Sequence, residues 1–436
     1  MTVDQNSTMR RVATLAIPAL VVLAAEPLYV LVDTAVVGHL GRTQLAGLAL
    51  GGTVMTFAVW LGTVLAYGTT GRAARRFGAG QRAAAVEEGV QASWLALGGG
   101  LVILLVIEVV AGPLTRLLAG GAGDVADNAE GWLRIAALGA PGLMLATAGH
   151  GWMRGVQDTR RPLYYVLAAN VLSAMLCPLL VYPAGLGLAG SAVANVTAQT
   201  VVGVLFVRAL ATEGVSLRPQ PAVIGRQLAL GRDLLLRGAA LQACFLSASA
   251  VVARFGEASL AAHQIAIQLF FFTSMALDAI AIAAQSLVGA ALGGERVAEA
   301  RHLARRITVA GLVAGVAFAA LVAAALFSVR PWFGADAEVY TQARHVWWFF
   351  VAMMPAAGVV FALDGVFLGA GDVRYLRNLT LVAALGGFLP GIWLAYLLDF
   401  GLSGVWAALT LFIALRLAGL LYRLTGDGWA VTGAVR

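Results

Sequence analysis

Residues 18–40 read PALVVLAAEPLYVLVDTAVVGHL, a run long enough to cross a bilayer, which takes ~20 apolar residues. The run nonetheless carries two carboxylates, Glu26 and Asp33, and two prolines, Pro18 and Pro27. A carboxylate at the bilayer centre costs ~2.5–3.5 kcal/mol on insertion scales, so intramembrane acids face a protein interior or a wet cavity and mark ion or substrate pathways. Glu26 and Asp33 are seven residues apart, which puts both near one face of a helix. Proline removes a backbone donor and can kink a helix, so Pro18 and Pro27 are candidate bending points. A spanning helix that carries a protonatable or cation-binding acid predicts a transporter.

Composition agrees. Of 436 residues, 60% are apolar and 12% charged, against about 25% charged in soluble domains. The net charge of +7 could suggest nucleic acid, but its distribution excludes that partner. Every base is arginine, and the arginines fall in short loops between apolar segments, alternating from loop to loop. That is the positive-inside pattern of a membrane protein. The absence of lysine excludes a Walker A loop, whose lysine reaches the nucleotide phosphates, and favours ion-coupled transport over ATP-driven transport. Cys177, Cys244 and five scattered histidines show no ligand or disulfide spacing, so no metal and no cofactor is expected.

Twelve apolar segments are predicted, at roughly 12–38, 44–70, 85–112, 129–152, 162–182 and 187–209, then 232–253, 259–290, 303–328, 342–368, 376–398 and 402–424. A polar cytoplasmic linker, 211–228, separates an N-terminal lobe, 1–210, from a C-terminal lobe, 229–436. Arg10, Arg11, Arg72, Arg75, Arg76, Arg82, Arg154, Arg160, Arg161, Arg218, Arg226, Arg232, Arg237, Arg296, Arg301, Arg305, Arg306, Arg374 and Arg377 all fall on one side, whereas Asp124, Asp127, Glu130, Asp336, Glu338 and Asp399 fall on the other. Both termini are therefore expected in the cytoplasm.

The chain repeats itself. Gly41, Leu45, Ala46 and Gly78 recur as Gly256, Leu260, Ala261 and Gly293; Gly151, Gly155 and Asp158 recur as Gly365, Gly369 and Asp372; Gly187, Leu188 and Gly190 recur as Gly401, Leu402 and Gly404. The offset of about 215 holds within a residue. Six helices per copy give the parallel-repeat arrangement, in which substrate lies between halves that rock. At that offset Asp33 falls on Ala248 and Glu26 on Leu241. The scaffold is duplicated and the acids are not, so ion coupling is expected in the N-terminal lobe.

The motifs LVDTAVVGHLG (31–41), LGRDLLLRGAALQACF (230–245), ALDAIAIAAQSLVGAALG (276–293) and LDGVFLGAGDVRYLRN (363–378) resemble the DinF branch of the MATE (multidrug and toxic compound extrusion) transporters. The resemblance covers nearly the whole chain. It implies an all-α, twelve-helix, two-lobe fold and an inner-membrane antiporter that exports organic compounds against H⁺ or Na⁺, with Asp33 as coupling acid. Where the family often reads N-x-x-N-x-x-x-D-P, this chain has Asn170, Ser173, Cys177 and Pro178. The second carboxylate of that pattern is missing, and Glu26 is the candidate to replace it.

Asp33 and Glu26 are thus the expected ion-coupling residues, Asp33 also being the ligand if the ion is Na⁺. Asn170, Ser173, Asn195 and Gln199 are candidates for a polar N-lobe pocket, and Asp278 and Asp364 for substrate contacts in the C-lobe. Each has a structural rival: Asp33 as an interfacial helix-end acid, the others as hydrogen-bonding glue between helices, at ~0.6 kcal/mol per contact. Small amphipathic, often cationic compounds and membrane lipids are the expected partners of a monomer. A lipid-linked precursor flippase would need a strongly cationic cavity; the intramembrane charges read as mostly acidic, which disfavours it. An intramembrane enzyme would need a catalytic constellation that the sequence does not contain.

Overall fold

The computed structural model of the protein describes residues 5–325 and 337–435. Asp336 and the end of the ninth expected segment lie outside them. Among the described residues the elements are helices and turns, with no strand. In chain order they are α1 (Gln5–Gly38), α2 (Arg42–Gly78), α3 (Arg82–Leu118), α4 (Asp124–Ala137), α5 (Ala140–Gly155), α6 (Arg160–Val181) and α7 (Leu188–Ala211), then α8 (Pro221–Val252), α9 (Glu257–Gly293), α10 (Val297–Ala325), α11 (Ala337–Gly369), α12 (Val373–Ala383), α13 (Leu389–Leu397) and α14 (Gly401–Thr425). A π-helical turn, Ala384–Phe388, joins α12 to α13. Among the described residues eleven helices, with α12 through α13 taken as one, are long and apolar enough to span a membrane, and the bent pair α4–α5 would make twelve.

The helices sort into two compact units, one of residues 17–231 and one of residues 232–435 with the chain up to Ala16. In the first, α2 packs on α3, α4 and α5, and α7 packs on α5 and α6. In the second, α11 is central and packs on α9, α10 and α14. Small residues permit the close crossings. A Cβ on Gly203 would come within 2.8 Å of the Gly142 Cα, so α5 and α7 touch backbone to backbone, as small-residue membrane interfaces do.

The duplication is written into the backbone. Gly41 and Gly256, both at positive φ (136° and 104°), precede α2 and α9, which have the same length of 37 residues. Four more left-handed positions pair at the same offset: Gly80 with Glu295, Gln157 with Gly371, Gly185 with Asp399, and Gly187 with Gly401. The hydrogen bonds pair too. Gly80 N–H reaches the Phe77 carbonyl and Gln81 N–H the Arg76 carbonyl; Glu295 N–H reaches Leu292 and Arg296 N–H reaches Ala291. These are Schellman caps, which satisfy the orphan carbonyls of a helix end.

Two boundaries differ from the sequence expectation. The segment expected at 129–152 is two helices bent by 52°. Pro141 recurs as Pro355, yet α11 runs through Pro355 unbroken. The copies differ in what precedes the proline: Leu138 and Gly139 in the first, Ala352 and Met353 in the second. Glycine is a poor helix former, and Gly139 marks the break. The linker expected at 211–228 ends at Pro221, where α8 begins; proline suits a first helical position, since its missing N–H has no helical partner there anyway. Arg232 and Arg237 therefore lie inside α8 and not on a loop. The linker is fastened to α3, with Gln91 Nε2 donating to the Arg218 carbonyl at 3.0 Å and Trp94 Nε1 to the Leu217 carbonyl at 2.9 Å.

Candidate functional site

α1 presents one continuous face. Glu26, Tyr29, Val30, Asp33 and Thr34 follow helical spacing and all line a cavity of about 390 Å³ within the 17–231 unit. α1 stays helical through Pro18 and Pro27. From α2 come Leu45, Ala49, Thr53 and Thr56; from α4, Trp132; from α5, Leu143; from α7, Asn195 and Gln199. The α4–α5 break thus sits where its two arms deliver an indole and a leucine to the same chamber. The lining is mostly apolar with a few convergent polar groups, the usual make-up of a small-molecule site.

Asp33 is 5% exposed. It is therefore enclosed by protein and not exposed at the end of α1. The Cys177 thiol donates to Asp33 Oδ1 at 3.1 Å, and the Ser191 hydroxyl is its second hydrogen-bond partner. Ser191 in turn accepts from Trp132 Nε1 at 3.2 Å. One turn along α1, the Tyr182 hydroxyl donates to the Val36 carbonyl at 2.6 Å, so α6 grips α1 at two levels. Among the described residues no arginine pairs with Asp33. Glu26 is exposed in the cavity and, among the described residues, has neither a hydrogen-bond nor an ion-pair partner.

Near Asp33 lie two buried polar atoms without hydrogen-bond partners among the described residues, Tyr29 Oη and Ser173 Oγ; Asn170 Nδ2, also unpartnered, does not line the cavity. The polar neighbours of the Tyr29 hydroxyl are Ser173 and Asn195, but no hydrogen bond of good geometry forms. Unsatisfied buried polar groups are rare and call for a water, an ion or a functional role. Of the residues singled out in the sequence, the structure brings Glu26, Asp33, Asn195 and Gln199 to one cavity, with Ser173 against Tyr29 behind it. Tyr29, Ser191 and Trp132 were not singled out. Tyr29 could have been found, since it lies between Glu26 and Asp33 on their shared face.

The C-lobe acids belong to the other unit. Asp278 is half-buried on α9. Asp364 on α11 is held by two arginines, Arg416 and Arg237. The expectation that intramembrane charges are mostly acidic therefore fails there, because two cations surround one acid. A lone arginine in the apolar run LFIALRLAGLL was the signal for Arg416. Arg134 forms an ion pair with Glu130 one turn earlier on α4, at 2.7 Å. At the α2–α3 end, Glu88 accepts from Arg72, Arg76 and Gln227.

The chain as a whole is similar to known proteins. The MatE family model matches residues 18–179 and 234–417, one match in each copy of the repeat. The chain is 32% identical over 413 residues to DNA damage-inducible protein F of Escherichia coli (strain K12), covering 92% of this chain and 89% of that protein. It is 31% identical over 431 residues to Protein DETOXIFICATION 44, chloroplastic, of Arabidopsis thaliana, covering 95% of this chain and 81% of that one. A crystal structure of MATE in the bent conformation superposes with a TM-score of 0.87 at 21% identity, over 96% of both chains.

Proposed function

The chain belongs to the MatE family of multi-pass membrane transporters, and we propose that it is an antiporter exporting amphipathic, often cationic organic compounds in exchange for H⁺ or Na⁺, with Asp33 as the coupling acid. The observation that carries this reading is the environment of Asp33. Its carboxylate is buried and hydrogen-bonded by the neutral donors Cys177 and Ser191, and it lines a cavity. A buried carboxylate with no cationic partner is costly as an anion. It needs a counter-ion that can arrive and leave, and H⁺ and Na⁺ both qualify.

The mechanism is competition. With Asp33 ionised, the cavity favours a cationic amphiphile, its apolar body against Leu45, Trp132 and Leu143. Neutralisation of Asp33 by an ion from outside removes that attraction. α1 then repacks and substrate leaves. Pro18 and Pro27 each deprive the α1 ladder of one hydrogen bond, so a bend at either costs less than elsewhere in α1. Glu26 offers a second carboxylate in the same cavity, for the departing cation or the entering ion. Opening to the cytoplasm returns the coupling ion and resets Asp33. The arginine alternation supports placement in a bacterial inner membrane with both termini in the cytoplasm.

The test is uptake of a fluorescent cation into inverted vesicles, energised first by a pH step and then by a Na⁺ step. Asp33→Asn should reach the membrane, since losing an intramembrane charge lowers the insertion cost, and should not transport under either gradient. Asp33→Glu should keep part of the activity with a displaced pH optimum. Wild-type transport by Asp33→Asn under both gradients would overturn the assignment.

A further inference from the structure

The C-terminal unit holds a buried charge imbalance. Arg416 Nη2 donates to Asp364 Oδ1 at 2.7 Å and to Oδ2 at 2.5 Å, and Arg237 Nη2 donates to Oδ2 at 2.5 Å. Arg416 is 5% exposed and Asp364 6%. The Arg237 side chain is 14% exposed, so the cluster reaches the surface of the unit along that edge. Two guanidiniums around one carboxylate leave one positive charge. Among the described residues neither Arg237 nor Arg416 forms an ion pair with a second acid, and Asp233, one turn before Arg237 on α8, is itself bound by Arg232 and Arg377. Arg416 Nε is also buried without a hydrogen-bond partner, its guanidinium otherwise lying over the Phe412 ring at 5.6 Å.

Such a cluster is a poor strut. A buried ion pair is often no more stabilising than apolar residues of the same volume, and an unpaired buried donor keeps its full desolvation cost. The duplication does not explain it either. At the repeat offset the three positions are Val22, His150 and Val202 in the first copy, so the cluster was not inherited with the scaffold. What it lacks is a negative charge and a hydrogen-bond acceptor, and one oxyanion supplies both. The guanidinium fork matches carboxylate and phosphate oxygens.

We propose that Arg237, Asp364 and Arg416 form a binding site for the oxyanion, carboxylate or phosphate, of an amphipathic molecule. Asp364 sets the strength of the site by cancelling one of its two positive charges and holding both guanidiniums in place. The proposal does not rest on ion coupling through Asp33, and equilibrium binding without a gradient tests it separately.

The experiment uses the full chain in phosphatidylcholine nanodiscs. Binding of rhodamine 110, which has a free carboxylate, is compared with that of its methyl ester, rhodamine 123, by fluorescence anisotropy. Wild type should bind the acid at least tenfold more tightly than the ester. Arg237→Gln and Arg416→Gln should each abolish that preference, and Asp364→Asn should increase it. Arg237 lies at the edge of the cluster, so its variant keeps the test valid if Arg416→Gln fails to fold. In a second arm, native mass spectrometry reads retention of phosphatidylglycerol by wild type and Arg237→Gln. A dye preference without lipid retention assigns the oxyanion to substrate. Lipid retention that Arg237→Gln loses assigns it to a headgroup. Equal dye affinities together with no arginine-dependent lipid retention would overturn the proposal.

Discussion

The Cys177 thiol donates to Asp33 Oδ1 at 3.1 Å, from α6 to α1, 144 residues apart in sequence. The bond ties the proposed coupling acid to the position where relatives with the N-x-x-N-x-x-x-D-P pattern have a second acid. A neutral donor replaces a like charge, so Asp33 can ionise without repulsion from α6. Together with Tyr182 on the Val36 carbonyl, it also fixes the distance between the two helices.

Cys177→Ser should preserve this arrangement, because a hydroxyl donates in the same direction, and transport should stay within about twofold of wild type. Cys177→Ala removes one of the two donors to Asp33. A side-chain hydrogen bond to a charged group is worth ~1.5–3 kcal/mol, and a pH unit corresponds to about 1.36 kcal/mol. The pH profile of transport in Cys177→Ala should therefore move by on the order of one unit while the protein still folds. An unmoved profile would show that the thiol contributes packing and nothing else.

The repeat makes its own prediction about stability. Gln157, Glu295 and Asp399 are the described non-glycine residues at positive φ, 63°, 60° and 54°. The partner copy puts glycine at each of the three positions. A side chain in the left-handed region costs about 1–2 kcal/mol, partly offset by the entropy glycine adds to the unfolded chain. Gln157→Gly, Glu295→Gly and Asp399→Gly should each raise thermal stability in detergent, by about 0.5–1 kcal/mol. The converse change, Gly371→Gln, should destabilise. A lower melting temperature for all three glycine variants would show that these side chains contribute contacts that outweigh the strain.

How much of this the sequence discloses depends on the kind of signal. Apolar length marks the spanning helices directly, because each must cover the same hydrocarbon thickness. The duplication is visible because its glycines are required by the left-handed caps. Asp33 is legible because an acid in an apolar run is costly and so conspicuous. The α4–α5 break is not legible from proline alone, since Pro141 and Pro355 occupy equivalent positions and only the first accompanies a bend. Cys177, Ser191 and Tyr29 join Asp33 through contacts between helices far apart in sequence, which no local pattern encodes. Arg237 is hidden by its neighbours: among Arg226 and Arg232 it reads as part of a basic loop, and only the start of α8 at Pro221 moves it inside.

Orientation follows from the arginines and can be read by labelling. Asp124 at the start of α4 and Arg218 in the linker are both exposed. In a cysteine-free background, an impermeant maleimide added to intact cells should modify Asp124→Cys and spare Arg218→Cys. The linker backbone is held by Gln91 and Trp94, but the Arg218 side chain is free to be replaced. Labelling of 218 and protection of 124 would invert the proposed topology.

Functional asymmetry between the copies is the last consequence. Ala248, the repeat partner of Asp33, is 1% exposed on α8, so the second copy buries a methyl group where the first buries a carboxylate. Its surroundings contain no counterpart of the thiol donor: the repeat partner of Cys177 is Gly391. An acid placed at 248 would be desolvated without a donor to receive it, at a cost of several kcal/mol. The unit that holds Ala248 already contains a buried acid, Asp364, and it is bound to two arginines. Ala248→Asp should therefore fail to restore gradient-driven export to Asp33→Asn in inverted vesicles, with the double variant measured for membrane expression alongside. Full recovery of export in a well-expressed double variant would make the two copies interchangeable and remove the basis for placing ion coupling in the first.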